Sequence, residues 1–222
     1  DTRTAMEGLY VAGEDAGGAH GSNRLGGNGV ANSTVYGGIA GDVMGRDIRA
    51  MTALRDPDEN ILSAEIERAR RPFGKPVGNV QNLRRVLQDA MWDDVGVMRT
   101  EQGLISGLKK IATVATDLQD IGVDPSNLAF NLTWHDWLNL ASLVDVSEVI
   151  AEAALARENS RGAHFREDFP DQGDLETSYF TVARKTAAGL RVSRDPVRFT
   201  IVRPGEPVLP EGEPETLVQA AR

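Results

Sequence analysis

The sequence predicts a mainly α fold: a strand, a glycine-rich loop and a helix, followed by a three-helix bundle and a short C-terminal β hairpin. Three observations carry this. Twelve of the 23 glycines lie at positions 8, 13, 17, 18, 21, 26, 27, 29, 37, 38, 41 and 45, a concentration with a local cause. From Val80 to Ala156, apolar residues recur at spacings of three and four, the period of one helix face. Beyond residue 178 the pattern changes to alternation rich in β-branched and aromatic residues, the period of strands.

Composition limits the alternatives. A chain of 222 residues holds one large domain or two small ones, and 41% hydrophobic residues suffice for a core. No apolar run approaches the ~20 residues of a membrane span, so no direct span is expected. The polar N-terminus lacks the basic and apolar regions of a signal peptide. There is no cysteine, which excludes disulfides and thiolate-held metals or clusters. A net charge of −9 argues against non-specific nucleic-acid binding.

In order along the chain, residues 1–7 read as a tail and 8–12 as a strand. Residues 30–44, continuing to about 53, form a helix of small residues, where each internal glycine costs roughly 1 kcal/mol relative to alanine unless close packing offsets it. Asp56-Pro57 reads as a cap with proline at the first helical position, starting a helix over 57–71. Ile61, Leu62 and Ile66 form its apolar edge, and Arg68, Arg70 and Arg71 a solvated basic face. Residues 72–76 are a break. Val80, Leu83, Leu87 and Ala90 mark the next helix. Thr100 caps another, with Leu104, Leu108, Ile111, Ala115 and Leu118 at the helical period, ended by Gly122 and Pro125. Thr133 with Asp136 resembles a capping box for a third helix reaching about 158, with Leu138, Ala141, Val149, Ala153 and Ala156 inward. Short connections make these three an antiparallel bundle. Residues 178–182 and 197–202 read as strands around a 187–195 connection. Residues 204–214, with Pro204, Pro207, Pro210 and Pro214, read as a tail or linker. The expected divisions are 1–54, 55–77, 78–160 and 161–222.

The chemistry concentrates in two stretches. A strand, glycine loop and helix in that order turn backbone N–H groups and a helix N-terminus toward a ligand. Glu14 directly follows the strand, where an acid commonly accepts ribose hydroxyls of a dinucleotide. Arg24 is a planar, permanently charged fork suited to a carboxylate. His20 lies between them, and an ordinary loop histidine is its alternative reading. In the second stretch, Arg157 to Pro170 mixes arginines with Glu158, Glu167 and Asp168, which can lock a loop through charge-assisted pairs. Its His164 titrates near neutrality and can serve as an acid or base. A structural clamp is the favoured reading, with catalysis and partner contact as alternatives. His135, beside Trp134 and Trp137, reads as a helix-start histidine. Asp93 and Asp94 are sequence neighbours that point apart on a helix. No set of residues has metal-ligand spacing, so no metal site is expected.

His20-Gly21-Ser22-Asn23-Arg24-Leu25-Gly26-Gly27-Asn28-Gly29-Val30 resembles the His-Gly-Ala-Asn-Arg-Leu-Gly-Gly-Asn-Ser-Leu loop of the flavoprotein subunits of succinate dehydrogenase and fumarate reductase, relatives of L-aspartate oxidase. Arg157-Glu158-Asn159-Ser160-Arg161-Gly162-Ala163-His164-Phe165-Arg166-Glu167-Asp168-Phe169-Pro170 resembles that family's Arg-x-Glu-Ser-Arg-Gly-Ala-His-x-Arg-x-Asp-Phe-Pro. Val95-Gly96-Val97-Met98-Arg99 resembles its Val-Gly-Ile-Phe-Arg, found in a C-terminal helical domain. Together the matches cover about 8–44 and 78–170. Two departures are visible: the segment between Glu14 and His20 is one residue short, and Gly29 stands where the family has serine.

The resemblance implies that 1–54 is the C-terminal piece of an FAD-binding domain. It implies FAD as cofactor, with Glu14 at the ribose and the backbone at Asn28, Gly29 and Val30 at the isoalloxazine ring. It implies that Arg24, with His20, holds and polarises a carboxylate of a dicarboxylate substrate during hydride transfer to or from flavin. No G-x-G-x-x-G precedes Gly8 and no cap domain is recognisable. The expectation is therefore the C-terminal part of a larger flavoprotein, a fragment or one half of a split enzyme, inactive alone. The implied partners are the N-terminal FAD-binding part and an iron–sulfur electron-transfer subunit. The implied location is the cytoplasm, with peripheral attachment at the inner membrane through partner subunits. The alternative from another class is a non-catalytic helical module that docks a redox partner.

Overall fold

A computed structural model describes residues 2–53 and 56–206. Pro207, Pro210 and Pro214 of the expected tail lie outside the described residues. The element order is α1 (Asn28–Ala50), α2 (Glu59–Arg70), a 3-10 turn (Arg71–Gly74), α3 (Val80–Asp93), β1 (Met98–Arg99), α4 (Glu101–Asp120), α5 (Leu132–Ala156), β2 (Phe165–Arg166), β3 (Tyr179–Thr186) and β4 (Gly189–Pro196). The fold is mainly helical with a C-terminal antiparallel hairpin, as the sequence predicts. The described residues fall into two compact units: one holds residues up to Val80 with Leu118–Leu138 and Arg161–Ala163, the other Gln81–Asp117, Asn139–Ser160 and residues from His164 onward.

The first unit begins differently from expectation. Residues 2–7 are not a loose tail: they fold back on residues 8–11, with Thr4 N–H donating to Leu9 O and Val11 N–H to Thr2 O. The expected strand over 8–12 is an extended arm whose regular pairing is a single bridge, Arg3 with Tyr10. A strand needs a neighbour along its whole length, and here only this short arm supplies one. The hairpin is tied to α1 through Asp47, which accepts from Arg3 Nε (2.9 Å) and Nη2 (2.6 Å) and from Tyr10 OH (2.5 Å). These bonds, Arg3 foremost, hold the Asp47 carboxyl at about 2.

Helix α1 buries Asn32, Ala40 and Val43, while Val30, Val35, Tyr36, Ile39 and Ile48 stay exposed. Helix α2 buries no residue. Its cap is Asp58, not Asp56: Asp58 Oδ1 accepts from Asn60 and Ile61 N–H, so Pro57 lies before the cap rather than inside the helix. Two aspartates flank that proline, and local sequence alone does not choose between them.

Two tryptophans one turn apart on α5 close this unit. Trp134 Nε1 donates to Ala69 O (2.7 Å) at the end of α2, and its ring lies 4.9 Å from that of Phe73. Trp137, 5% exposed, donates to Leu118 O and Ile121 O at the end of α4. Each indole thus satisfies carbonyls that a helix end leaves unpaired. Between them Val123 N–H donates to Pro72 O and Gly122 N–H to Pro76 O. A side chain at Gly122 would overlap the Pro72 and Lys75 carbonyl oxygens. His135 sits in the first turn of α5, where it was expected.

In the second unit, Leu87 and Ala90 of α3 are buried, as are Leu104, Gly107, Ile111 and Val114 of α4. This 3-4-3 stripe passes close to the turn after α3, where a Cβ at Gly107 would stand 2.6 Å from Val95 Cγ2. Lys110 pairs with Asp94 across the same place (2.6 Å). On α5 the buried stripe is Leu140, Val144, Ser147, Ala151 and Ala154, not the expected Leu138, Ala141, Val149, Ala153 and Ala156. That helix is apolar around most of its circumference, so periodicity alone does not select a face. Its cap is Asn131, whose Oδ1 accepts from Trp134 N–H, two residues before the expected Thr133.

The hairpin also shifts. Strands β3 and β4 pair Tyr179 with Pro196 through Thr186 with Gly189, turning at Ala187-Ala188, so 187–195 is largely strand and 197–202 is not. Strand β4 alternates weakly because Arg191, Arg194 and Asp195 interrupt its apolar pattern, which hid it from the sequence. Tyr179 anchors it between the guanidinium groups of Arg157 (4.8 Å) and Arg194 (4.7 Å). The pairing of β1 with β2, parallel and two residues long, is too short for any sequence signal.

Candidate functional site

The glycine loop leads into α1 through Gly27, the residue before the helix, whose φ of +84° suits glycine. No side chain caps α1, and its first turn holds no acid. A helix of 23 residues therefore presents an uncompensated N-terminus, equivalent to roughly half a positive charge. Arg24 adds to it. A Cβ placed on Gly29 would stand 2.6 Å from Arg24 Nη1 and 3.2 Å from its Cζ, so the guanidinium lies directly on the first turn of α1. Two positive groups stacked without an acid can attract an anion. Gly29, with no side chain of its own, leaves room for the guanidinium where it lies.

His20 is held by a residue the sequence reading missed. Asn32, 8% exposed on α1, directs its Nδ2 to Gly13 O (3.4 Å) and to His20 Nε2 (2.9 Å). Gly13 O can only accept, which orients the amide with its NH2 group toward both partners. His20 Nε2 is then the acceptor, and the remaining ring proton sits on Nδ1. Asn32 is one of several polar residues on α1, among them Ser33, Thr34 and Asp42, and only its burial sets it apart. Gly13 itself takes φ +87°, and a Cβ there would stand 2.8 Å from Ser33 Oγ. Glu14 follows, exposed. The structure thus gathers Arg24, Gly29, His20 and Asn32 around one helix start, with Asn28 and Val30 exposed at its opening turn.

The charged stretch after α5 forms its own cluster in the second unit. Arg166 is 1% exposed; its Nε and Nη2 donate to the two oxygens of Asp168 at 2.7 Å each, and Nη1 donates to Ala154 O and Leu155 O at 3.1 Å. The guanidinium holds the Asp168 carboxyl far below the usual carboxylate range. Asp168 also accepts from Glu101 N–H (2.7 Å), supplementing Thr100 at the start of α4. His164 Nδ1 faces Arg99 Nη1 (2.8 Å) and its Nε2 donates to Arg157 O (3.2 Å). Burial pushes the imidazole pKa down; the Arg157 carbonyl opposes this, and the charges of Arg99, Arg157 and Arg166 reinforce it. Both ring nitrogens are thus committed to the scaffold, which suits locking rather than proton transfer. Among the described residues, no group of His, Asp and Glu could hold a metal ion, and no helix is long and apolar enough to cross a membrane.

Comparison with known proteins identifies the family. Residues 84–209 match the family described as fumarate reductase flavoprotein C-term, and residues 1–30 the FAD binding domain. The succinate dehydrogenase flavoprotein of Coxiella burnetii is 34% identical over 181 residues, 80% of this chain and 30% of that protein. The fumarate reductase flavoprotein of Mycobacterium tuberculosis is 30% identical over 214 residues, 92% of this chain and 37% of that protein. Among solved structures, Mycobacterium smegmatis Sdh1 in complex with UQ1 superposes with a TM-score of 0.79 at 29% identity, covering 86% of this chain and 33% of that one. The chain spans about a third of the length of the curated relatives it matches. It belongs to the succinate dehydrogenase/fumarate reductase flavoprotein family and corresponds to that family's C-terminal region.

Proposed function

We propose that this chain works as the C-terminal portion of an FAD-dependent oxidoreductase that transfers hydride between a dicarboxylate and flavin. The observation that carries the reading is the Arg24 guanidinium lying on the uncapped start of α1 beside Gly29. FAD fits the donor set: Glu14 is exposed and can accept ribose hydroxyls, and the backbone at Gly29 and Val30 offers N–H groups, while Asn28 N–H already donates to Leu25 O (3.3 Å). When bound, FAD supplies the hydride-accepting and hydride-donating chemistry. Arg24 binds one carboxylate through two parallel N–H bonds and favours negative charge developing on it. His20, with Nε2 committed to Asn32, has Nδ1–H left to orient the same carboxylate.

This reading divides the chain into an FAD-domain piece (1–54), a connector (55–77), a helical bundle domain (78–160) and a charged loop with the hairpin (161–222). It makes the isolated chain inactive, and its partners the N-terminal FAD-binding part and an iron–sulfur protein. It places the protein in the cytoplasm, or at the inner membrane through those partners. The apolar residues exposed on α1, Val30, Val35, Tyr36, Ile39 and Ile48, support a larger domain around it.

The test is Arg24→Ala in the full-length flavoprotein, read as succinate-dependent dye reduction. A loss of about 10²-fold or more in kcat, with flavin content unchanged, is expected. Activity within twofold of the parent overturns the reading. The second reading, a non-catalytic module docking a redox partner, is favoured by one observation: α2 leaves Ile61, Leu62 and Ile66 exposed. It predicts a colourless protein indifferent to Arg24→Ala.

A further inference from the structure

The segment Arg161–Ala163 falls in the same compact unit as the glycine loop, and Gly162 meets that loop directly. Gly162 takes φ +56°, in the left-handed region. A Cβ built on it would overlap the backbone oxygen of Ser22, stand 2.5 Å from the Ser22 carbonyl carbon and 3.0 Å from Asn23 Cβ. The obstacle is backbone, which cannot swing aside as a side-chain tip can. Elsewhere the loop is open: a Cβ at Gly17, Gly18, Gly21, Gly26 or Gly27 would meet nothing within 4 Å. The loop is therefore backed at Ser22 and Asn23, the two residues that precede Arg24, and Gly162 lies against that backing.

We infer that Gly162 is a positioning residue for Arg24: its bare peptide sets where the Ser22-Asn23 backbone sits, and so where the guanidinium meets a substrate carboxylate. The inference rests on the proposed role of Arg24. Glycine is required here on two separate grounds, its left-handed φ and the lack of room for any Cβ. A displacement of about 1 Å at a binding group costs on the order of 10²-fold in rate, so the effect is legible in ligand binding.

The test uses the full-length flavoprotein and malonate, a dicarboxylate that does not react, with its Kd measured by calorimetry. Gly162→Ala is expected to raise the malonate Kd at least tenfold and to lower kcat/KM for succinate similarly, with flavin content unchanged. Gly162→Asn accepts left-handed φ more readily than alanine does but carries the same Cβ. It is expected to weaken binding as well, which separates crowding from backbone strain. Hydrogen exchange on the unsubstituted protein provides a readout independent of variant folding: malonate is expected to protect amides at both 22–24 and 161–163. Protection confined to 22–24, or a Gly162→Ala Kd within twofold of the parent while Arg24→Ala abolishes binding, overturns this inference and leaves the proposed function standing. Malonate binding indifferent to Arg24→Ala overturns both.

Discussion

Replacing Arg166 with methionine removes a guanidinium that is 1% exposed, while leaving a side chain of similar length. Four of its bonds matter: two to the Asp168 carboxylate at 2.7 Å, and two to the Ala154 and Leu155 carbonyls at 3.1 Å. Both carbonyls belong to the last turn of α5, where Ala154 O otherwise accepts only the Arg157 N–H (3.3 Å) among the described backbone bonds. Breaking a buried ion pair by removing one partner costs about 3–5 kcal/mol. The Asp168 side chain is 30% exposed and regains water, which points to the lower end, near ~3 kcal/mol. For a chain of this size that is a fall in Tm of roughly 6–12 °C. Arg166→Lys keeps the charge but loses the fork, and falls between the two. The assay is urea and thermal unfolding followed by far-UV circular dichroism at pH 7. A loss below ~1 kcal/mol for the methionine variant would mean that the desolvation of the guanidinium cancels its bonds, and would refute the reasoning.

Three further outcomes are expected. His164 is held below its ordinary pKa of 6.5, chiefly by burial, so the unfolded chain takes up the proton first. Its contribution is complete above pH ~6.5 and declines as pH falls below that value. Tm should therefore drop between pH 7 and 5.5, and less steeply in His164→Gln; equal slopes would count against this. Asn32→Leu strands His20 Nε2 and Gly13 O, and should lower stability by about 1–3 kcal/mol. It should also shift the His20 ring signals in nitrogen NMR away from a single Nδ1–H tautomer; an unchanged spectrum would contradict the bonding described. Gly122→Ala drives a Cβ into the Pro72 and Lys75 carbonyls, backbone that cannot yield. A loss of about 3 kcal/mol or more is expected in denaturant unfolding, and a neutral result would show that this crossing is looser than described.

Periodicity placed the spans of α3 and α4 well, and on α4 it found Leu104, Ile111 and Leu118, while Gly107 and Val114 rather than Leu108 and Ala115 complete the buried stripe. It mistook the face of α5, where apolar residues surround the helix, and it missed β4, where arginines replace the alternation. Caps were found to within two residues, since both Asp56 and Asp58, and both Asn131 and Thr133, have the chemistry of a cap. Arg24, His20 and Gly29 stood out by residue type inside a glycine loop. Asn32 did not, because a polar residue on a helix reads as solvated until burial shows otherwise.

Local chemistry thus sufficed for the helices, the glycine loop, the carboxylate contact proposed for Arg24 and the charge-assisted locking expected after α5. These depend on residues close in sequence, where spacing and side-chain type are the physics. Contacts between distant segments were decided by tertiary structure alone. Gly162 against Ser22, Trp134 on Ala69, Asp168 at the start of α4 and Arg99 on His164 each join segments at least 65 residues apart. No local pattern encodes such pairs: they follow from how helices of given length and buried face come together, and only then does a glycine become indispensable or a carboxylate become a cap.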